Sequence, residues 1–430
     1  MDHQNKINQI AKQLRKASGP VTFVRHGVSH KVPNAHQNEE TNKIHLPKLD
    51  KIIEIDPKNL TCTAESGVPF CNLVLETLKY NLVPYTVPEL KTITIGGAVS
   101  GCSVESMSYK HGGFHDSCLE YEIVTSDGKI INCSNENQSE IFHMLHGTFG
   151  TLGIITKIKF KLHPAKPYVK LNYVKYDNFS DYAATINQHF QKQDLTFMDG
   201  IIHNPTHYTL CIGTFVDDAP YLSNYEGQKI YYKSTKTLEE DYMTTYDYFF
   251  RYDTECHWIS RNYGLENPLL RRFFGKFFLS STNMIKTAKK LKFIFKNFKP
   301  EVVVDIFIPF SKFKDFFNFY RDKFNYYPLW IVPYKIAKPY PWINPKFMEG
   351  VEDQLFIDCA IYGMRQKGNT DYYRLLDEKL IELQGIKTLI SHNNYSKDAF
   401  WHIYDRQNYN RIKQTTDPKG IFKDLYEKMH

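Results

Sequence analysis

The stretch Thr94-Ile-Gly-Gly-Ala-Val-Ser-Gly-Cys-Ser-Val-Glu-Ser106 packs three glycines and three serines into thirteen residues. Gly96, Gly97 and Gly101 lack a Cβ, so the backbone there can reach positive φ and approach a ligand closely. Successive N–H groups in such a loop form a concavity suited to a diphosphate. Ser100, Ser103 and Ser106 add hydroxyl donors. No Gly-Lys-Ser/Thr follows, so this is no Walker A loop, and Gly-x-Gly-x-x-Gly is absent. Taken locally, the same residues also suit a glycine-rich turn between two strands.

Outward from this stretch, the N-terminal side reads as a helix over 3–17 and a strand at Val21–Val24. Further strands are expected at Lys51–Asp56 and Leu60–Ser66, then a helix over Pro69–Tyr80. On the C-terminal side, Tyr121–Thr125 and Lys129–Cys133 flank Ser126-Asp127-Gly128, a hairpin signal. Ser139–Leu145 reads as helix and Gly153–Leu162 as a long alternating strand. Beyond about residue 165 the texture changes. Strands such as Val302–Ile308 alternate with amphipathic helices such as Phe313–Phe324, and 397–430 is helical again.

The bulk numbers bound the rest. A chain of 430 residues suits two or three domains, and a hydrophobic fraction of 42% is ordinary for a globular protein. A net charge of +7 is too mild to argue for nucleic acid. The eight cysteines form no Cys-x-x-Cys pair, so no zinc site is expected. No run approaches the length of a spanning helix, and no secretory leader opens the chain. Free thiols in a cytoplasmic protein are the expectation.

The glycine stretch has a close counterpart. Thr94-Ile95-Gly96-Gly97, Ala98-Val99-Ser100 and Gly101-Cys102-Ser103-Val104-Glu105-Ser106 keep the register of Thr-Val-Gly-Gly, a short apolar stretch and Gly-Thr-Gly-Ile-Glu-Ser. Only Ser103 departs, standing for a glycine. Val87-Pro88-Glu89-Leu90, Ser108–Phe114, Gly150-Thr151-Leu152-Gly153 and Pro164–Leu171 follow the same pattern in order. So do Arg251–Trp258, Pro328–Tyr334, Phe356–Gly363, Phe400-Trp401 and Asp417–Phe422. The chain thereby resembles the Δ24-sterol reductase group of the vanillyl-alcohol oxidase and p-cresol methylhydroxylase superfamily, whose members bind FAD in a PCMH-type domain.

The resemblance implies an α+β fold: a two-part FAD domain over 1–165, a second α+β substrate (cap) domain over 166–395, and a segment 396–430 returning to the FAD domain. It implies FAD contacts from Thr94 to Ser106, from His111, and from Gly153 and Ile155. Arg25–His30 would be the first FAD-contacting loop, where some members attach the flavin through a His. The implied reaction is reduction of a C=C bond in a sterol or related isoprenoid, with NADPH recharging the flavin. The cofactor carries the redox chemistry, and no second dinucleotide motif is visible. Animal and plant members carry an N-terminal membrane segment. This chain starts directly at the flavin part, so membrane residence is not implied.

Saturating a C=C bond takes a proton besides the hydride. Tyr252, Glu255 and His257, in the proton-rich Arg251–Trp258, are the candidate acids. A salt-bridged structural edge is the plainer reading of the same residues. Asp358 and Tyr362 would share one strand face and are weaker candidates. His111 and His115 could contact flavin or substrate, or cap a turn. Residues 269–299 are basic and aromatic without an acid. They suit a peripheral contact with an anionic membrane, or a solvated helix face. Two rival activities remain: an FAD-dependent oxidase or dehydrogenase of an alcohol, sugar or polyol, and a flavin- or lipid-binding protein without turnover.

Overall fold

The computed structural model describes residues 1–25, 42–227, 229–254, 258, 261, 264, 266–267, 271, 283, 301–336, 338–366 and 368–430. The architecture is α+β. Strands β1 (Val21–Val24) and β2 (Asn42–His45) form a small parallel pair. Next come β3 (Ile52–Asp56), β4 (Thr61–Glu65), β5 (Leu82–Pro84), β6 (Cys118–Val124), β7 (Ile130–Ser134) and β8 (Ile154–Pro164). They form one antiparallel sheet in the order β3-β4-β8-β6-β7, with β5 on the far end of β8. The facing of β8 is dictated by its alternation: Ile154, Thr156, Ile158, Phe160 and Leu162 are buried, while Lys157, Lys159 and Lys161 are not.

The opening helix, His3–Lys16, docks through Ile7, Ile10, Ala11 and Leu14, one helical stripe. Asp2 caps it, accepting from the Asn5 N–H at 2.8 Å. Its buried Lys6 pairs with buried Glu65 at 2.6 Å.

A second antiparallel sheet follows: β9 (Tyr168–Tyr176), β10 (Phe197–Asn204), β11 (His207–Val216), β12 (Glu240–Thr244), β13 (Val302–Pro309), β14 (Leu329–Lys335), β15 (Leu355–Met364) and β16 (Ile386–Lys387). Its order is β12-β9-β11-β10-β14-β15-β13-β16. The two faces differ in chemistry. Met198, Ile306, Ile331, Ile357, Cys359 and Ile361 pack under the helices Phe179–Lys192, Phe313–Lys323 and Tyr372–Glu382. The alternate residues, among them Ile201, Phe307, Trp330, Tyr334, Phe356 and Tyr362, join the core of the first sheet. The in-register partners Asp305 and Ala360, and Phe307 and Asp358, put both acids on this second face.

The C-terminal helices Arg406–Thr416 and Leu425–Met429 pack on the first sheet's part. The Ser126 N–H donates to Thr416 O at 3.0 Å, and Lys419 Nζ reaches Leu14 O at 2.9 Å, satisfying an open carbonyl of the opening helix. Among the described residues, no helix is long and apolar enough to cross a membrane. Residues 269–299 lie outside the description apart from Arg271 and Asn283. The seven described cysteines are free.

Candidate functional site

Thr94–Ser106 is not a loop throughout. Thr94 caps a short helix, Ile95–Gly101, its Oγ1 accepting from the Gly97 N–H at 3.2 Å. The freedom to reach positive φ is not used at Gly96, Gly97 or Gly101: all three are right-handed, and the left-handed residue is Cys102, at φ 53°. The glycines serve close packing instead. A Cβ on Gly96 would stand 2.8 Å from both the Cβ and the carbonyl oxygen of Ser66. Helical and close-packed, Ile95, Ala98 and Val99 are wholly buried, and Ser100, Ser103 and Val104 are partly so.

Positive φ is found across the way, in the loop leading into β8: Gly147 at 67°, Phe149 at 51°, Gly150 at 76° and Gly153 at 139°. The Gly147 N–H donates to Val99 O at 3.2 Å, joining this loop to the helix. Lys428 and Lys413 bond the carbonyls of Phe149 and Thr151 at 2.7 and 3.1 Å. A Cβ on Gly150 would lie 4.0 Å from Arg25 Nη2, and Arg25 forms no ion pair with a described residue. A guanidinium beside a left-handed glycine turn suits a diphosphate, so the residues present fit FAD. Ile155 pairs with Ile123 on the adjoining strand. Of the first loop, Arg25 is described, while His26–His30 are not. His111 stacks on Tyr85, centroids 4.3 Å apart, and burial with neighbouring His163, Lys110 and Lys335 depresses its pKa to about 4.

Behind the glycine segment lies a buried ionic cluster that sequence reasoning missed. Arg251 Nη2 stands 2.8 Å from Glu105 Oε1 and 3.2 Å from Asp199 Oδ2 on β10, and all three side chains are at most 2% exposed. Trp330 Nε1 donates to Asp199 at 2.8 Å, and Tyr248 donates to Ser106 Oγ at 2.8 Å. The Arg251 guanidinium lies 4.3 Å above the Tyr248 ring. Candidate acid Tyr252 belongs to this cluster: it is wholly buried and its hydroxyl donates to Asp199 at 3.4 Å. Glu255 and His257 lie outside the described residues. Nothing local in the sequence pairs residues 105, 199 and 251.

Burial pushes the Glu105 carboxyl up to about 7, Arg251 holding it down and the Asp199 charge pushing it up. The folded state thus keeps a proton that the unfolded chain releases near pH 4.5. This contribution to stability is fully present below that pH and is lost as pH rises through about 7. Urea unfolding of wild type and Glu105→Gln at pH 5 and pH 8 checks it. Wild type should gain relative to the variant at pH 5, and an equal difference at both values would refute the assignment.

A small cavity, about 60 Å³, lies where the two sheets and the C-terminal helices meet. Gly101 and Cys102 come from the glycine segment, His146–Phe149 from the loop before β8, and Phe307 and Tyr334 from the second sheet. Trp401 and Tyr404 close it from the C-terminal part. The walls are aromatic, suited to a flat or apolar molecule. Tyr340 also lines it, bonded to Tyr334 and to Asp116. Buried His115 and His146 stand 4.9 Å apart behind it, and burial lowers the pKa of both.

Asp358 lies in register with cavity residue Phe307. Burial, with Asp305 and Glu89 as like charges, lifts its carboxyl far above the usual range. Tyr362, on the same strand face, donates to Asp305.

Residues 1–134 match the FAD binding domain family. The chain is 25% identical over 455 residues to the Delta(24)-sterol reductase of Homo sapiens, covering 99% of this chain and 86% of that one. It is 22% identical to the Delta(24)-sterol reductase of Arabidopsis thaliana over 90% of this chain and 76% of that one. Cytokinin dehydrogenase 1 of Arabidopsis thaliana is 35% identical over 117 residues, 27% of this chain and 20% of that one.

Proposed function

We propose that this FAD-dependent oxidoreductase saturates a C=C bond in a sterol or related isoprenoid, drawing its electrons from NADPH. The observation that carries the reading is the aromatic cavity between the glycine segment and the second sheet, in a chain similar along nearly all its length to proteins named for sterol reduction. In this reading 1–165 with 396–430 form the flavin half and 166–395 the substrate half. Thr94–Ser106, Arg25 and the loop Gly147–Ile155 hold FAD, and His111 flanks it. Bound and reduced, FAD supplies a hydride.

The chain's own residues do the rest. Phe307, Trp401 and Tyr404 hold an apolar molecule and exclude water, which strengthens every polar contact within. Burial, with Asp305 and Glu89 nearby, favours the protonated form of Asp358 behind the cavity wall. Tyr252 serves the Arg251 cluster rather than the substrate, since its hydroxyl is spent on Asp199.

Anaerobic titration tests the reading. NADPH should bleach the flavin without substrate, and a sterol with an unsaturated side chain should restore the colour. Bleaching only by an alcohol would favour the oxidase or dehydrogenase instead. Purified protein that stays colourless and rejects FAD would remove every redox reading. Mass spectrometry of co-purifying lipids should retrieve a sterol or polyprenoid.

A further inference from the structure

Three side chains form a hydrogen-bonded line from the cavity into the first sheet's part. Tyr334, near the end of β14, lines the cavity, and its hydroxyl bonds that of Tyr340. Tyr340 also lines it and donates to Asp116 Oδ2 at 2.8 Å. The same oxygen accepts from the Gly113 N–H at 2.8 Å. Asp116 Oδ1 is buried without a hydrogen-bond partner among the described residues. His115 Nε2 stands 3.4 Å from Oδ2, and Trp342 stacks on Tyr340, centroids 5.0 Å apart.

Two buried phenols need partners, and a backbone carbonyl would satisfy the second of them. Here the line ends on an ionisable group with one oxygen unused. Tyr340 donates to Asp116, and the bond between the two phenols can run in either direction.

We propose that Tyr334, Tyr340 and Asp116 are the proton line of this cavity, with Tyr334 protonating one carbon of the substrate double bond. The proposal rests on reading the cavity as a site of alkene reduction. In that step the π bond breaks and two C–H bonds form. One carbon takes hydride, with both electrons, from reduced flavin, and the other takes the Tyr334 hydroxyl proton. The Tyr334 oxygen recovers a proton from Tyr340, and Tyr340 recovers one from solvent by way of Asp116. Net, the alkene is reduced, the flavin's electron pair is consumed, and one proton is drawn from solvent. Tyr334 is the catalytic residue, and Tyr340 and Asp116 act through it.

Two measurements on the full-length holoprotein test this. In anaerobic stopped flow, a Δ24-unsaturated sterol in micelles reoxidises the photoreduced flavin. Tyr334→Phe is expected to slow that step about 100-fold or more, with FAD content and flavin spectrum retained. Asp116→Asn should slow it, and Asp116→Glu should recover part of the rate. Independently, 3-fluorotyrosine at 334 and 340 reports the line by 19F NMR without turnover. Asp116→Asn should shift both resonances, including that of Tyr334, whose hydroxyl bonds Tyr340. A Tyr334 resonance unmoved by Asp116→Asn, or a Tyr334→Phe holoprotein reoxidised at the wild-type rate, overturns the proposal. If no alkene reoxidises wild type, the sterol reading fails, and the fluorine shifts still decide whether the line exists.

Discussion

Arg251→Met is expected to destabilise the folded chain by about 3–5 kcal/mol, because it leaves two buried carboxylates without their cation. The size follows from burial. Arg251, Glu105 and Asp199 are at most 2% exposed, so neither acid can recover hydration when the guanidinium goes. Part of the loss should be regained as pH falls below about 7, where Glu105 takes a proton. Arg251→Lys keeps the charge but not the fork that spans both acids, and should fall between. Thermal unfolding and soluble yield measure the effect, with flavin content as a second readout, since Glu105 belongs to the glycine segment. A Tm for Arg251→Met equal to wild type would sink the account. Replacing the whole cluster by apolar residues of similar volume should cost far less than removing Arg251 alone, since no stranded charge remains.

Gly96→Ala is the second large effect. The added Cβ would stand 2.8 Å from the Ser66 Cβ and 2.8 Å from its carbonyl oxygen, the oxygen that accepts from the Gly96 N–H. That contact is largely backbone, held by the Ser66 N–H donating to Thr156 O at 3.0 Å, so it cannot swing aside. Overpacking of this kind costs about 1–3 kcal/mol, and the helix Ile95–Gly101, proposed to hold FAD, must shift. Loss of bound FAD on gel filtration, with a lowered Tm, is the expected result. Gly101→Ala is the control. Its Cβ would meet only Ile390, at 3.7 Å, and its φ is right-handed. It should fold at least as well as wild type, since alanine favours a helix over glycine. Equal behaviour of the two variants would contradict the packing role given to Gly96.

Much of the fold was legible in the residues. The alternation of β8, with lysines outward and Ile, Phe and Leu inward, is enough to mark a strand with one buried face. Ser126-Asp127-Gly128 marks the hairpin of β6 and β7, and Gly128 does take φ 74°. The stripe Ile7, Ile10, Ala11, Leu14 marks the opening helix and its docked side. Such signals are local: a period, a cap or a turn is written within one element. The glycine segment shows their limit. Three glycines in seven residues read equally as a conformational need and as a packing need, and only the position of Ser66 decided for packing.

By itself, then, the sequence determined the α+β class, the glycine segment proposed to hold FAD and the strand face shared by Asp358 and Tyr362. Each depends on residue types at short, regular spacing. The tertiary structure alone decided that Arg251 neutralises Glu105 across 146 positions of chain and that Tyr334, Tyr340 and Asp116 join end to end. It also decided that the cavity is walled by stretches scattered from Gly101 to Leu425. The physical reason is range. Helix and strand periods act over a few residues, whereas ion pairs, hydrogen-bond chains and cavities act over a few ångströms, between atoms that only the folded backbone brings together.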